Sequence, residues 1–100
     1  MITKVDISKT AQKKLDKLIE FLEEEWSETI KQEFVIKLDH SIKIIKSQPE
    51  AFPESNLRKG LRKCVITKQT TLYYRYNSRK IFLVTLFDTR QDPNKINREI

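Results

Sequence analysis

One hundred residues make a single domain spanning residues 1–100, because a chain this short cannot divide its 38% hydrophobic residues between two cores. One glycine, Gly60, excludes phosphate-cradling loops of the GxGxxG or P-loop kind, and one cysteine, Cys64, excludes an internal disulfide and a cysteine-based zinc cage. The net charge of +6 is uneven: residues 1–50 carry nine lysines against ten acids, whereas residues 51–100 carry eleven cations against four acids and hold all six arginines (Arg58, Arg62, Arg75, Arg79, Arg90 and Arg98).

That imbalance fits either a solvated basic surface or a face for nucleic acid or an acidic protein, since arginine suits bidentate recognition of phosphate and carboxylate. No apolar run approaches the roughly 20 residues needed to cross a bilayer. The N-terminal "MITKVDISKTAQ" lacks the apolar core of a signal peptide, so no membrane association and a cytoplasmic location are expected.

In chain order, "ITKVDIS" (2–8) reads as a short edge strand. Ser8 or Thr10 then caps a helix over 9–25, in which Ala11, Leu15, Leu18, Ile19, Leu22 and Trp26 form one apolar stripe. The acidic run at 23–25 opposes the macrodipole at the C-terminal end, so the helix should stop there. Ser27 caps a second helix over 28–47, with Ile30, Phe34, Val35, Leu38, Ile42 and Ile45 on one face and Pro49 as its stop. Two helices joined by so tight a turn lie antiparallel.

The segment 47–60, with two prolines, Asn56 and Gly60, is a connecting loop. After it the period changes from 3.6 to 2: 61–68, 71–77 and 80–87 read as three strands of an antiparallel meander. The helical hairpin and a strand have similar lengths, so the hairpin covers one sheet face and leaves the other open. The expected fold class is α+β, with an N-terminal strand and an antiparallel helical hairpin on one face of an antiparallel sheet.

Candidate chemistry is sparse. His40 is the only histidine and has no second soft ligand near it in sequence, so no metal or cofactor is expected. Cys64 reads as a small apolar strand residue. In the second strand of the meander Leu72, Tyr74 and Tyr76 share one face and Tyr73 and Arg75 the other, an arrangement that either stacks bases or simply reflects strand preference. In the tail, Phe87 closes the last strand, residues 88–91 turn away, and Asp92-Pro93 imposes an extended break. Arg90 then either projects beside the arginines of the neighbouring strands or pairs with Asp88 as a structural tether.

The succession of strand, helical hairpin, Leu61-Arg62-Lys63, Tyr73-Tyr74-Arg75 and Thr89-Arg90-Gln91-Asp92-Pro93 resembles toxins of the RelE/ParE superfamily, components of type II toxin–antitoxin modules. The resemblance implies a small basic toxin neutralised by a cognate antitoxin, with one of two outputs. ParE-like members poison DNA gyrase; RelE-like members cut messenger RNA on the ribosome with basic residues and an assisting acid. For the nuclease branch it implies a phosphate clamp of Arg62, Arg75 and Arg90. Cys64 and Thr71, however, stand where that branch carries a lysine and an arginine, and no tyrosine or histidine follows Pro93. The nuclease set is incomplete, which favours the ParE-like branch, with a non-toxic basic binding module as the remaining alternative.

Overall fold

The computed structural model describes residues 4–91, 95, 96 and 100. Six elements follow one another: β1 (Lys4–Ile7), α1 (Lys9–Glu25), α2 (Glu28–Ser47), β2 (Arg62–Thr67), β3 (Thr70–Tyr76) and β4 (Lys80–Asp88). Ile2 and the Asp92-Pro93 break lie outside the described residues.

Both helices start where a serine hydroxyl accepts an otherwise orphaned backbone N–H. Ser8 Oγ accepts from Ala11 N at 3.0 Å, and Ser27 Oγ accepts from Ile30 N at 3.1 Å. Ser8 does more than cap: its hydroxyl donates to Val84 O at 2.6 Å and its N–H to Leu83 O at 2.9 Å, so the start of α1 is fixed to β4. Helix α1 ends directly after the three glutamates, and Lys31 of α2 reaches back to Glu23 (3.3 Å) while also pairing with Glu28 (2.9 Å), which ties the two helices at their turn.

The sheet order is β1-β4-β3-β2. The meander β2-β3-β4 is antiparallel as expected, while β1 joins as an edge strand parallel to β4, with Val5 opposite Ile81 and Ile7 opposite Leu83. A parallel partner requires a crossover, which the helical hairpin supplies. The sheet is therefore mixed.

Phe34, Leu38 and Ile45 of α2 pack with Cys64, Ile66, Leu72, Tyr74, Ile81, Leu83 and Leu86 of the sheet, and Leu15, Leu18 and Leu22 of α1 close the cluster. Tyr74 is fully buried at its centre. This fixes the parity left undecided by sequence: Cys64 and Ile66 face the helices, whereas Lys63 and Val65 face outward.

One expectation needs correcting. The outer face is open over only half its length. Tyr73 pairs with Thr85 but Tyr74 with Leu83, so Val84 is an extra residue in β4 that shifts Thr85 onto the outer side. By this register Thr71, Thr85 and Phe87 are outward residues, yet they are 5%, 0% and 5% exposed. Lys14 of α1 reaches over the Phe87 ring at 5.5 Å, so part of this covering comes from a long side chain that extends past the end of β4.

Candidate functional site

The three arginines singled out by sequence fall in three different settings. Arg62 opens β2 opposite Tyr74 and so points to the helix side. Its guanidinium donates to Phe52 O at 2.6 Å and Glu50 O at 3.3 Å and lies 5.7 Å from the Tyr76 ring centre. It fastens the loop between α2 and β2. The same loop adds to the edge of β2 through Ser55 N to Leu61 O (2.6 Å) and Lys63 N to Pro53 O (3.1 Å), and Tyr74 donates its hydroxyl to Pro49 O at 2.6 Å.

Arg75 lies on the opposite, outward face, paired with Phe82. Its guanidinium donates to Lys59 O at 3.2 Å and passes 3.6 Å from where a side chain at Gly60 would begin. Gly60 has φ +81°, a left-handed conformation that other residues adopt only with strain, and its N–H is held by Glu54 Oε1 at 2.5 Å.

Arg90 sits at the other end of the sheet. Asp88 pairs with Thr70, five residues along β3 from Arg75, or roughly 17 Å at strand rise. The Arg90 guanidinium is held by both oxygens of Asp88, at 3.1 and 2.8 Å, and its N–H by the same carboxylate at 2.9 Å. Hydrogen bonding from Arg90 holds the Asp88 carboxyl below its usual range. Thr89 adds bonds to Gln69 O (2.9 Å) and Lys68 O (3.0 Å). Of the two readings left open by the sequence, the tether is the one observed. The sheet thus brings Arg62 and Arg75 to one end but on opposite faces, and holds Arg90 at the far end.

Acid–base groups are equally dispersed. Burial pushes the Tyr74 phenol up to about 12 and also raises Tyr73. Burial raises the Cys64 thiol, with the Ser41 hydroxyl opposing it, and the side chain points into the core. Cys64 therefore presents no nucleophile at the surface; the outward cation of β2 is Lys63, one position earlier. His40 lies on a shallow surface depression of α2 with Lys43, Ile44 and Gln48. Among the described residues no three His, Cys, Asp or Glu side chains are grouped to hold a metal, and no helix is long and apolar enough to cross a membrane.

What the sequence reading missed lies on the open half of the outer face. Lys63 stands beside Tyr73, Arg75 beside Phe82, and Phe82 beside Asp6. Lys80 bonds Asp6 Oδ2 at 2.9 Å, which lowers the Asp6 carboxyl, and covers the Phe82 ring at 4.6 Å. Period-two parity from Tyr73 contained this grouping, but only once the burial of Tyr74 had chosen the face.

Residues 5–93 match the sequence model of the ParE toxin of the type II toxin–antitoxin system, parDE. No curated protein sequence matches the chain. Among solved structures, a chain of the chromosomal ParDE toxin–antitoxin system from P. aeruginosa superposes with a TM-score of 0.70 at 10% identity, over 87% of this chain and 96% of its own. A YoeB/ParE toxin from Agrobacterium tumefaciens gives 0.65 at 14% identity, over 86% and 98%. The E. coli DinJ–YafQ toxin–antitoxin complex gives 0.62 at 12% identity, over 90% and 96%. At these identities the structural likeness speaks for the fold.

Proposed function

Because the chain belongs to the ParE toxin family of type II toxin–antitoxin systems, we propose that it halts growth by binding DNA gyrase in the cytoplasm, and that a cognate antitoxin neutralises it by covering its sheet. The observation that carries this reading is the dispersal of the arginines. A nuclease must gather its phosphate-binding and acid–base groups within hydrogen-bond reach of one scissile bond. Here Arg62 holds its own loop, Arg90 is occupied by Asp88 some 17 Å away, and Arg75 lies on the other face from Arg62. A protein-binding inhibitor needs no such convergence. Within this reading Arg75 is the foremost candidate target contact, while Arg62 fastens the loop before β2 and Arg90 the turn after β4.

The test is induced expression with and without the neighbouring antitoxin gene, scoring the DNA-damage response against transcript integrity, together with gyrase supercoiling in vitro. The expected outcome is SOS induction and inhibited supercoiling with intact transcripts, both reversed by the antitoxin. Transcript cuts that disappear in Arg62→Ala or Arg90→Ala, with supercoiling unaffected, would replace the gyrase reading with ribosome-dependent cleavage of messenger RNA.

A further inference from the structure

One peptide group of the loop before β2 is gripped at both ends by charged side chains. The Lys59–Gly60 peptide gives its N–H to Glu54 Oε1 at 2.5 Å, and its C=O accepts from the Arg75 guanidinium at 3.2 Å. The two bonds leave in opposite directions, because the N–H and C=O of a trans peptide point apart. Gly60 holds φ +81°, and a side chain there would begin 3.6 Å from the guanidinium nitrogen. Glycine takes that turn at least cost. Among the described residues Glu54 forms no ion pair, so its carboxylate reaches Arg75 through the peptide and not by direct contact.

We propose that Glu54 is a positioning residue for Arg75 and acts through the Lys59–Gly60 peptide. A carboxylate that accepts from the N–H polarises the peptide and makes the carbonyl at its other end a stronger acceptor. A cation donating to that carbonyl does the same in return, so the two hydrogen bonds strengthen one another. Turning the peptide over would break both and set a carbonyl against a carboxylate, which leaves Arg75 with one favoured place.

A guanidinium is a rigid fork of several N–H donors, and the loop takes one of them. The others remain for a ligand, at the wall of a groove of about 440 Å³ that Arg75 shares with Ser8, Thr10 and Phe82. Holding the fork in advance removes side-chain entropy that binding would otherwise cost. Its consequence for inhibition rests on the reading that Arg75 meets the target; the positioning itself does not.

The experiment reads each guanidinium separately. The purified full chain is treated with phenylglyoxal, which condenses with arginine, and the rate at each site is followed by mass spectrometry, with circular dichroism as the check on folding. In Glu54→Ala the Arg75 rate should rise about two- to tenfold, the factor that one hydrogen bond is worth. Glu54→Gln keeps a neutral acceptor and should fall between the two. Arg62, held by Phe52 O of the same loop, and Arg90, held by Asp88, should not change in either variant. A loop that merely loosened would release Arg62 together with Arg75, and that result would overturn the proposal, as would an unchanged Arg75 rate in folded Glu54→Ala. The second arm is a double-mutant cycle on supercoiling inhibition. Glu54→Ala should raise the half-inhibiting concentration about two- to tenfold alone and leave it unchanged in Arg75→Ala, because a residue that acts through Arg75 then has nothing to position. Equal effects in both backgrounds would also overturn it. The modification assay contains no gyrase. A wild-type chain that leaves supercoiling untouched would therefore sink the gyrase reading, while the Arg75 rates would still decide the role of Glu54.

Discussion

Replacing Arg62 separates a structural guanidinium from a target contact. Arg62→Ala removes the donor to Phe52 O and Glu50 O and the cation beside Tyr76. A hydrogen bond from a charged donor contributes about 1.5–3 kcal/mol, and the 2.6 Å bond to Phe52 O has the geometry for it; the 3.3 Å bond adds little. The ring contact adds about 0.5–1 kcal/mol at a partly exposed site. Water can replace the guanidinium at carbonyls of so exposed a loop, which places the net loss near the lower end, about 2–3 kcal/mol. Against a usual stability of about 5–15 kcal/mol the variant still folds. With a urea slope of about 1–3 kcal/mol per molar, the unfolding midpoint should fall by roughly 1–2 M. Arg62→Lys keeps the charge but not the fork that spans two carbonyls, so it should recover about half of that loss. Supercoiling inhibition per folded molecule should be unchanged in both. A loss below about 0.5 kcal/mol, or an Arg62→Ala protein of normal stability that no longer inhibits, would refute the structural role.

Two further outcomes follow from the caps and from Tyr74. Ser8→Ala should cost more than Ser27→Ala, about 2 kcal/mol against about 1, because Ser8 caps α1 and also donates to Val84 O, whereas Ser27 only caps; thermal unfolding of the pair decides it. The folded Tyr74 phenol titrates at about 12, above its value near 10 in the unfolded chain, so its contribution to stability is complete below pH 10 and is lost as pH rises towards 12. Tyrosinate absorbance should accordingly show a late phase that coincides with alkaline unfolding. Tyr74→Phe should remove that phase and, by leaving Pro49 O without its donor, cost about 1 kcal/mol at neutral pH.

The elements were legible in the sequence because each boundary is written in local chemistry. Ser8 and Ser27 supply side-chain acceptors where N–H groups are orphaned, Pro49 bars continuation of α2, and the change from period 3.6 to period 2 after Gly60 marks the passage from helices to sheet. The pairing of β1 was less so, since a four-residue strand carries no signal that distinguishes a parallel from an antiparallel neighbour. The extra residue at Val84 likewise has no signature, and it is this residue that puts Thr85 on the outer side. Without it, alternation along β4 would put Thr85 with Leu83 in the core.

The settings of the arginines were not legible for a different physical reason. Their partners include main-chain carbonyls of Glu50, Phe52 and Lys59, and a carbonyl is present at every residue, so no composition or spacing announces it. A count of arginines therefore overstates the charge directed at a partner. What decides which cations face outward is one apolar choice: Tyr74, buried at the centre, commits Leu72 to the core, and by alternation turns Tyr73, Arg75 and, across the register, Lys63 and Phe82 away from the helices. Shifting β3 by one residue would bury Arg75 and expose Tyr74. The packing that stabilises the fold is thus the same packing that selects the surface offered to a target.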